Sequence, residues 1–334
     1  MTTTSRAGAP PADPSVGPIV DVHAHFTPPT TQAAREAAWR AMRADHFLAP
    51  VPHVWSPAIA LEAMQANGIA MQLLSTVPVG HQALVEANTY GAGVVAAHPH
   101  RFGLLAALPT DVPAAALDEV RRAHEVLNAD GFAVSTTYDG VSLGDSRLDP
   151  VWERLDALGA TVFVHPDTTI ASRLGLGTPL LEVTFETARV VTQMLYARVF
   201  SRFPGITFVL AHCGGALPGL SGRLALLGTA PWVANPGGVT AHELRSQMGR
   251  LFLDTAASGT DANLAAALQM VPVEHIVYGG DSGVPCTDDD SIAANLASLR
   301  GTSVLHRDDL PGILTRALTL FPRLRERIGA ATGG

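Results

Sequence analysis

The chain has 334 residues, 47% hydrophobic and 16% charged, with a formal net charge of −8. That composition supports one large buried core and excludes a globally disordered chain. The acidic balance, without any basic block or aromatic-interleaved patch, argues against nucleic acid as a partner.

The first 17 residues, "MTTTSRAGAPPADPSVG", are polar and rich in proline and glycine with no apolar stretch, and are expected to form a disordered lead rather than a secretory signal. From residue 18 onward, eight short apolar runs end in polar or glycine residues. They are "PIVDVHAH" (18–25), "IAMQLLSTVP" (69–78), "RFGLLAALPT" (101–110), "DGFAVSTTY" (130–138), "ATVFVHPD" (160–167), "ITFVLAHCGG" (206–215), "RLFLDTAAS" (250–258) and "HIVYGGDSGVP" (275–285). Segments of helical periodicity separate them, several opening on proline and closing on glycine, the usual helix start and stop pattern. Strands apolar on both faces, alternating with helices, indicate a parallel sheet covered by helices. Eight such units favour a closed (β/α)8 barrel in one domain spanning residues 18–330. A doubly wound open sheet fits less well, since no Gly-x-Gly-x-x-Gly turn follows the first strand. Residues 30–56 and 168–180 are insertions after strands 1 and 5, on the face where barrel enzymes carry out chemistry.

All 22 basic residues are arginine. Lysine Schiff-base catalysis and a dimetal site bridged by a carboxylated lysine are therefore impossible. Two cysteines, Cys213 and Cys286, cannot form a disulfide framework. No stretch approaches the roughly 18 continuous apolar residues of a membrane span, and a cytoplasmic location with no membrane partner is expected.

The polar residues at the strand ends converge on the barrel mouth. Strand 1 ends with His23 and His25, two residues apart and so on one face. Strand 5 ends with His165, strand 6 with His212 and strand 8 with Asp281. Three histidines and a carboxylate suit one divalent ion with a position left open, Zn²⁺ being the expected ion and Mn²⁺ the alternative. His212 is then left over as acid or base. Each residue alone has a structural reading, as terminator, core histidine or helix cap; their coincidence at the same end of four strands favours the metal site.

The pattern His23-x-His25, His165-Pro166, His212-x-Gly214-Gly215 and Gly280-Asp281 resembles the amidohydrolase superfamily. The nearest branch is similar to the amino-carboxymuconate-semialdehyde decarboxylase family, with its resorcylate and 6-methylsalicylate decarboxylases. The resemblance runs from about Val20 to the tail "ALTLFPRL". It implies a mononuclear site of His23, His25, His165 and Asp281, with His212 as catalytic acid or base and Asp281 able to assist it. It further implies a homodimer in which Arg223 of "HCGGALPGLSGR" reaches the neighbouring subunit's site to meet a substrate carboxylate. The implied reaction is metal-dependent, non-oxidative decarboxylation of a small hydroxybenzoate-like acid; hydrolysis of a lactone or amide by the same ion is the alternative. Where the family has one residue and then proline after the aspartate, this chain has Ser282, Gly283 and Val284 before Pro285. Tyr138 and His81 are candidates to line the substrate pocket, and Asp254, ending strand 7, to orient a histidine from behind.

Overall fold

A computed structural model of the chain describes residues 17–332, so residues 1–16 of the expected lead lie outside the described residues. Eight parallel strands follow the expected order: β1 (Ile19–His25), β2 (Ile69–Ser75), β3 (Phe102–Ala107), β4 (Gly131–Ser135), β5 (Thr161–His165), β6 (Thr207–Leu210), β7 (Phe252–Asp254) and β8 (Ile276–Val277). Each pairs with its sequence neighbour, from β1·β2 to β7·β8.

Closure between β8 and β1 is made by single hydrogen bonds. The Val22 N–H donates to the Tyr278 carbonyl at 3.1 Å, Asp281 N–H to His23 at 2.8 Å, and His25 N–H to Ser282 at 2.7 Å. The register of β1 against β2 shifts between Asp21 and Ala24. A bulge of this kind re-aims the side chains beyond it, and here those are His23 and His25.

Two apolar layers follow from strands buried on both faces. One fills the barrel with Val20, Val22, Met71, Leu73, Leu105, Phe163 and Val209, plugged from the chain's C-terminal end by Phe321 and Leu324. The other, larger layer packs Ala24, Leu74, Leu104, Val134, Val164 and Leu210 against the outer helices. At roughly 25 cal/mol per Å² of apolar surface, these layers form the rigid floor on which the strand ends are held. No helix among the described residues is long and apolar enough to cross a membrane.

Several expected strands are shorter than their apolar runs. The run at 130–138 stops at Ser135, and Thr137–Tyr138 instead pairs antiparallel with Val141–Ser142 in a separate hairpin. The first insertion carries a helix, Gln32–Ala44, with no buried residue. The second contains a single tight turn at Thr178–Leu180. The insertions touch each other: the Thr178 hydroxyl lies 3.4 Å from an Asp45 carboxylate oxygen, and Gly177 backs onto Phe47. Arg43, on the helix of the first insertion, stacks on Trp39 and donates to the Ala49 carbonyl.

Candidate active site

His23, His25, His165 and Asp281 each offer a ligand atom, all within 4.8 Å of one another. The three histidines share one device. The His23 Nδ1–H donates to Asp254 Oδ2 at 2.7 Å, the His25 Nδ1–H to the Ser75 carbonyl at 3.1 Å, and the His165 Nδ1–H to the Pro166 carbonyl at 2.9 Å. With Nδ1 protonated, each ring turns a bare Nε2 lone pair inward. His23 and His25 bring these nitrogens within 2.9 Å, and each lies 3.3 Å from Asp281 Oδ1. Lone pairs crowded against a carboxylate repel one another unless a cation stands among them. The donor set, three imidazoles and one carboxylate with a free face, therefore fits a single divalent ion.

The electrostatics agree. Burial lowers His23 and His165 well below the ordinary histidine range, which keeps both rings neutral as ligands must be. Burial works against ionising Asp281, but positive charge among the surrounding rings, carried by protons on the imidazoles where no ion stands, and a hydrogen bond from His25 outweigh it and hold the carboxyl well below the usual carboxylate range. Its second oxygen accepts from the Thr287 hydroxyl at 3.2 Å. Burial pushes Asp254 up to about 7, opposed by His212 and the Ala256 N–H.

His212 stands beside the ligands without joining them. Its ring lies 4.8 Å from that of His23 and 5.8 Å from that of His165, centre to centre. It is partly exposed at the mouth and sits at φ +53°, followed by Cys213 at +56°. Asp281 is likewise left-handed at +56°. Such φ values cost non-glycine residues on the order of 1–3 kcal/mol each and gather at sites where direction matters. Cys213 is buried in the outer layer, its thiol pushed up to about 12 by burial, so it is packing rather than nucleophile.

Beneath the ligands lies a polar strut that sequence reading missed. Asp21 accepts from the N–H groups of His23 and Gly280, at 2.9 and 2.8 Å, and from Gln72 at 3.1 Å. Gln72 also donates to the Ser282 hydroxyl at 2.6 Å. The one available signal was a charged residue inside an apolar strand. Two glycines make room: a Cβ at Gly279 would lie 3.0 Å from both Asp254 and His23, and one at Gly283 (φ +82°) would lie 2.1 Å from the His25 carbonyl oxygen.

The remaining candidates are not gathered with the ligands. Tyr138 is buried beside Leu84 and Ala107, its hydroxyl donating to the Pro78 carbonyl at 3.0 Å. His81 is exposed at the start of the helix His81–Ala97. Arg223 is exposed on the helix Leu217–Leu227 and makes no ion pair among the described residues.

Comparison with known proteins agrees with this geometry. The amidohydrolase family model matches residues 20–323. A 6-methylsalicylic acid decarboxylase of Penicillium expansum is 29% identical over 328 residues, taking in 92% of this chain and 97% of the relative. Two solved structures share the fold. A 2,6-dihydroxybenzoate decarboxylase bound to 2,6-dihydroxybenzoate has a TM-score of 0.74 at 20% identity, over 91% of this chain and 99% of the other. A dihydroxybenzoic acid decarboxylase of a Polaromonas species, with manganese and 2-nitroresorcinol, has a TM-score of 0.72 at 21% identity, over 91% and 97%. A barrel whose strand ends hold three histidines and an aspartate around one ion position, matched over nearly its whole length, belongs to the amidohydrolase family.

Proposed function

We propose that this chain is a metal-dependent, non-oxidative decarboxylase of a small aromatic acid of the hydroxybenzoate type. The observation that carries the reading is the pairing of a complete ligand set with an unligated histidine, His212, whose ring stands 4.8 Å from a ligand ring. The decarboxylase names of its relatives decide between this chemistry and hydrolysis.

His23, His25, His165 and Asp281 would hold a divalent ion, which when bound would supply Lewis acidity to an acidic aromatic substrate. Zn²⁺ is the ion we expect from the donor set; the manganese in the Polaromonas relative makes Mn²⁺ the alternative. The chain's own task is the proton. We assign His212 to deliver it to the ring carbon bearing the carboxylate, with Asp281 able to assist. The carbon–carbon bond then breaks, its electrons return to the ring, and carbon dioxide leaves; one proton is consumed for each turnover. Asp254 holds the His23 ring in register.

We assign Tyr138 and His81 to the border of the substrate site, on the side of β4 and β2. Arg223 is assigned to a second copy of the site: it makes no ion pair among the described residues and is neighboured along its helix by exposed Leu220 and Leu226, while exposed Phe185 lines one pocket with Leu220 and exposed Trp232 follows the helix in sequence. Apolar surface of this kind marks an interface, and the expected assembly is a homodimer working in the cytoplasm.

The test is a metal-replete assay against hydroxybenzoates, lactones and amides, recording product mass and carbon dioxide. Metal-dependent loss of the mass of carbon dioxide supports the reading. A gain of the mass of water without carbon dioxide would replace it with hydrolysis.

A further inference from the structure

The two carboxylate oxygens of Asp281 have different neighbours. Oδ1 stands 3.3 Å from Nε2 of both His23 and His25, so it is the oxygen that belongs to the ligand group. Oδ2 lies 3.2 Å from the Thr287 hydroxyl. A carboxylate ligand is ionised and can only accept, so the hydroxyl is the donor. The hydroxyl's alternative acceptor, the Cys286 sulfur, is weaker and lies 3.9 Å away.

The backbone fixes Thr287 where it stands. The chain leaves the seam between β1 and β8 at Ser282, whose carbonyl accepts from the His25 N–H at 2.7 Å and whose hydroxyl accepts from Gln72 at 2.6 Å. It turns at Gly283, φ +82°, and the Thr287 N–H then donates to the Val284 carbonyl at 3.3 Å. Next, Asp288 caps the helix Asp289–Gly301 by accepting from the Ser291 N–H at 2.9 Å. With both ends of the segment tied, the chain departs from Asp281 through Ser282, Gly283 and Val284 and comes back to it at Thr287. A carboxylate can grip one ion through one oxygen or through both. A second oxygen on the ion would compete for the position left open to substrate.

We propose that Thr287 is a positioning residue: by engaging Oδ2 it holds Asp281 to ligation through Oδ1 alone, and so keeps a place beside the ion for substrate. Its effect passes through Asp281. The substrate half rests on the decarboxylase reading above, whereas the ligation half needs only the ligand group.

The experiment compares Thr287→Val, which keeps the shape and removes the donor, with Thr287→Ser, which keeps the donor. Each is loaded with Co²⁺, whose visible absorption weakens as the ion gains a ligand. Thr287→Val is expected to absorb more weakly than the wild type, and Thr287→Ser to match the wild type. In turnover of a hydroxybenzoate, Thr287→Val raises KM about tenfold with kcat little changed, and Thr287→Ser restores KM. Should Thr287→Val fail to fold, Thr287→Ala removes the same donor. A wild-type Co²⁺ spectrum in the variant without the donor overturns the proposal, whether or not its melting temperature falls. So does a spectral change that Thr287→Ser shares. A weaker spectrum with KM unchanged overturns the substrate half, and a wild type that takes up no Co²⁺ overturns the whole together with the ligand group. Absence of turnover with every hydroxybenzoate would remove the decarboxylase reading and leave the spectral result standing.

Discussion

Asp254 Oδ2 receives the Nδ1–H of His23 across 2.7 Å, with both side chains completely buried. This contact sets which nitrogen of His23 faces the ion position, and it is made by the last residue of β7 on a residue of β1. In Asp254→Asn the ring loses its charged acceptor and its fixed tautomer. Metal affinity is expected to fall about 10–100-fold, measured by competition with a chromophoric chelator, with the fold intact by circular dichroism.

His212→Gln separates binding from chemistry. The side chain takes no part in the ligand group, so metal content should remain that of the wild type. Turnover should drop about 10²–10⁴-fold, the usual contribution of a positioned acid or base. Metal analysis alongside steady-state kinetics checks this; loss of the metal with the activity would make His212 a ligand instead.

Gly283→Ala tests the seam directly. At φ +82°, with the new Cβ 2.1 Å from the His25 carbonyl oxygen, backbone has to move. We expect a destabilisation of about 2 kcal/mol or more and weakened metal binding, because the displaced strand end carries His25. Thermal melts with and without added metal measure both.

The buried carboxyl of Asp21 makes stability depend on pH in the metal-free protein. Burial raises its pKa to about 7, whereas unfolding returns it to the ordinary 3.8. Between these values the native state holds a proton that the unfolded chain has released, so this group's stabilising contribution is complete at low pH and is lost as pH rises through about 4 to 7. The ceiling is on the order of 4 kcal/mol at 1.36 kcal/mol per unit. Urea midpoints of metal-free wild type, relative to Asp21→Asn, should decline across that window; a flat difference would contradict the shift.

If Arg223 serves a neighbouring site, two inactive proteins should rescue each other. Arg223→Ala and His212→Ala, mixed and reassembled, place one intact His212 site opposite one intact Arg223. Partial recovery of activity in the mixture, with each parent silent, is the expected result. Light scattering on Trp232→Asp, aimed at the exposed apolar surface, should register a shift toward monomer.

The sequence by itself determined the barrel and which polar residues gather at its mouth. Strands buried on both faces leave unbroken apolar runs, and the polar residue ending each run must appear at the mouth; His23, His25, His165, His212 and Asp281 were all legible on that ground. The end of strand 4 shows the limit of the method, because the apolar run carries on to Tyr138 while the strand stops at Ser135 and the chain turns into a hairpin, in which the Tyr138 hydroxyl donates to the Pro78 carbonyl. Only the tertiary structure decided that Asp21, Gln72 and Ser282 brace the seam, that His53 borders a cavity with its Nε2 unpartnered, and that the histidine Asp254 meets, as the sequence led one to expect of it, is His23. These relationships join residues as many as 231 positions apart. Local periodicity records which face of an element is buried, but the direction of a hydrogen bond between distant elements is set by how the whole barrel closes.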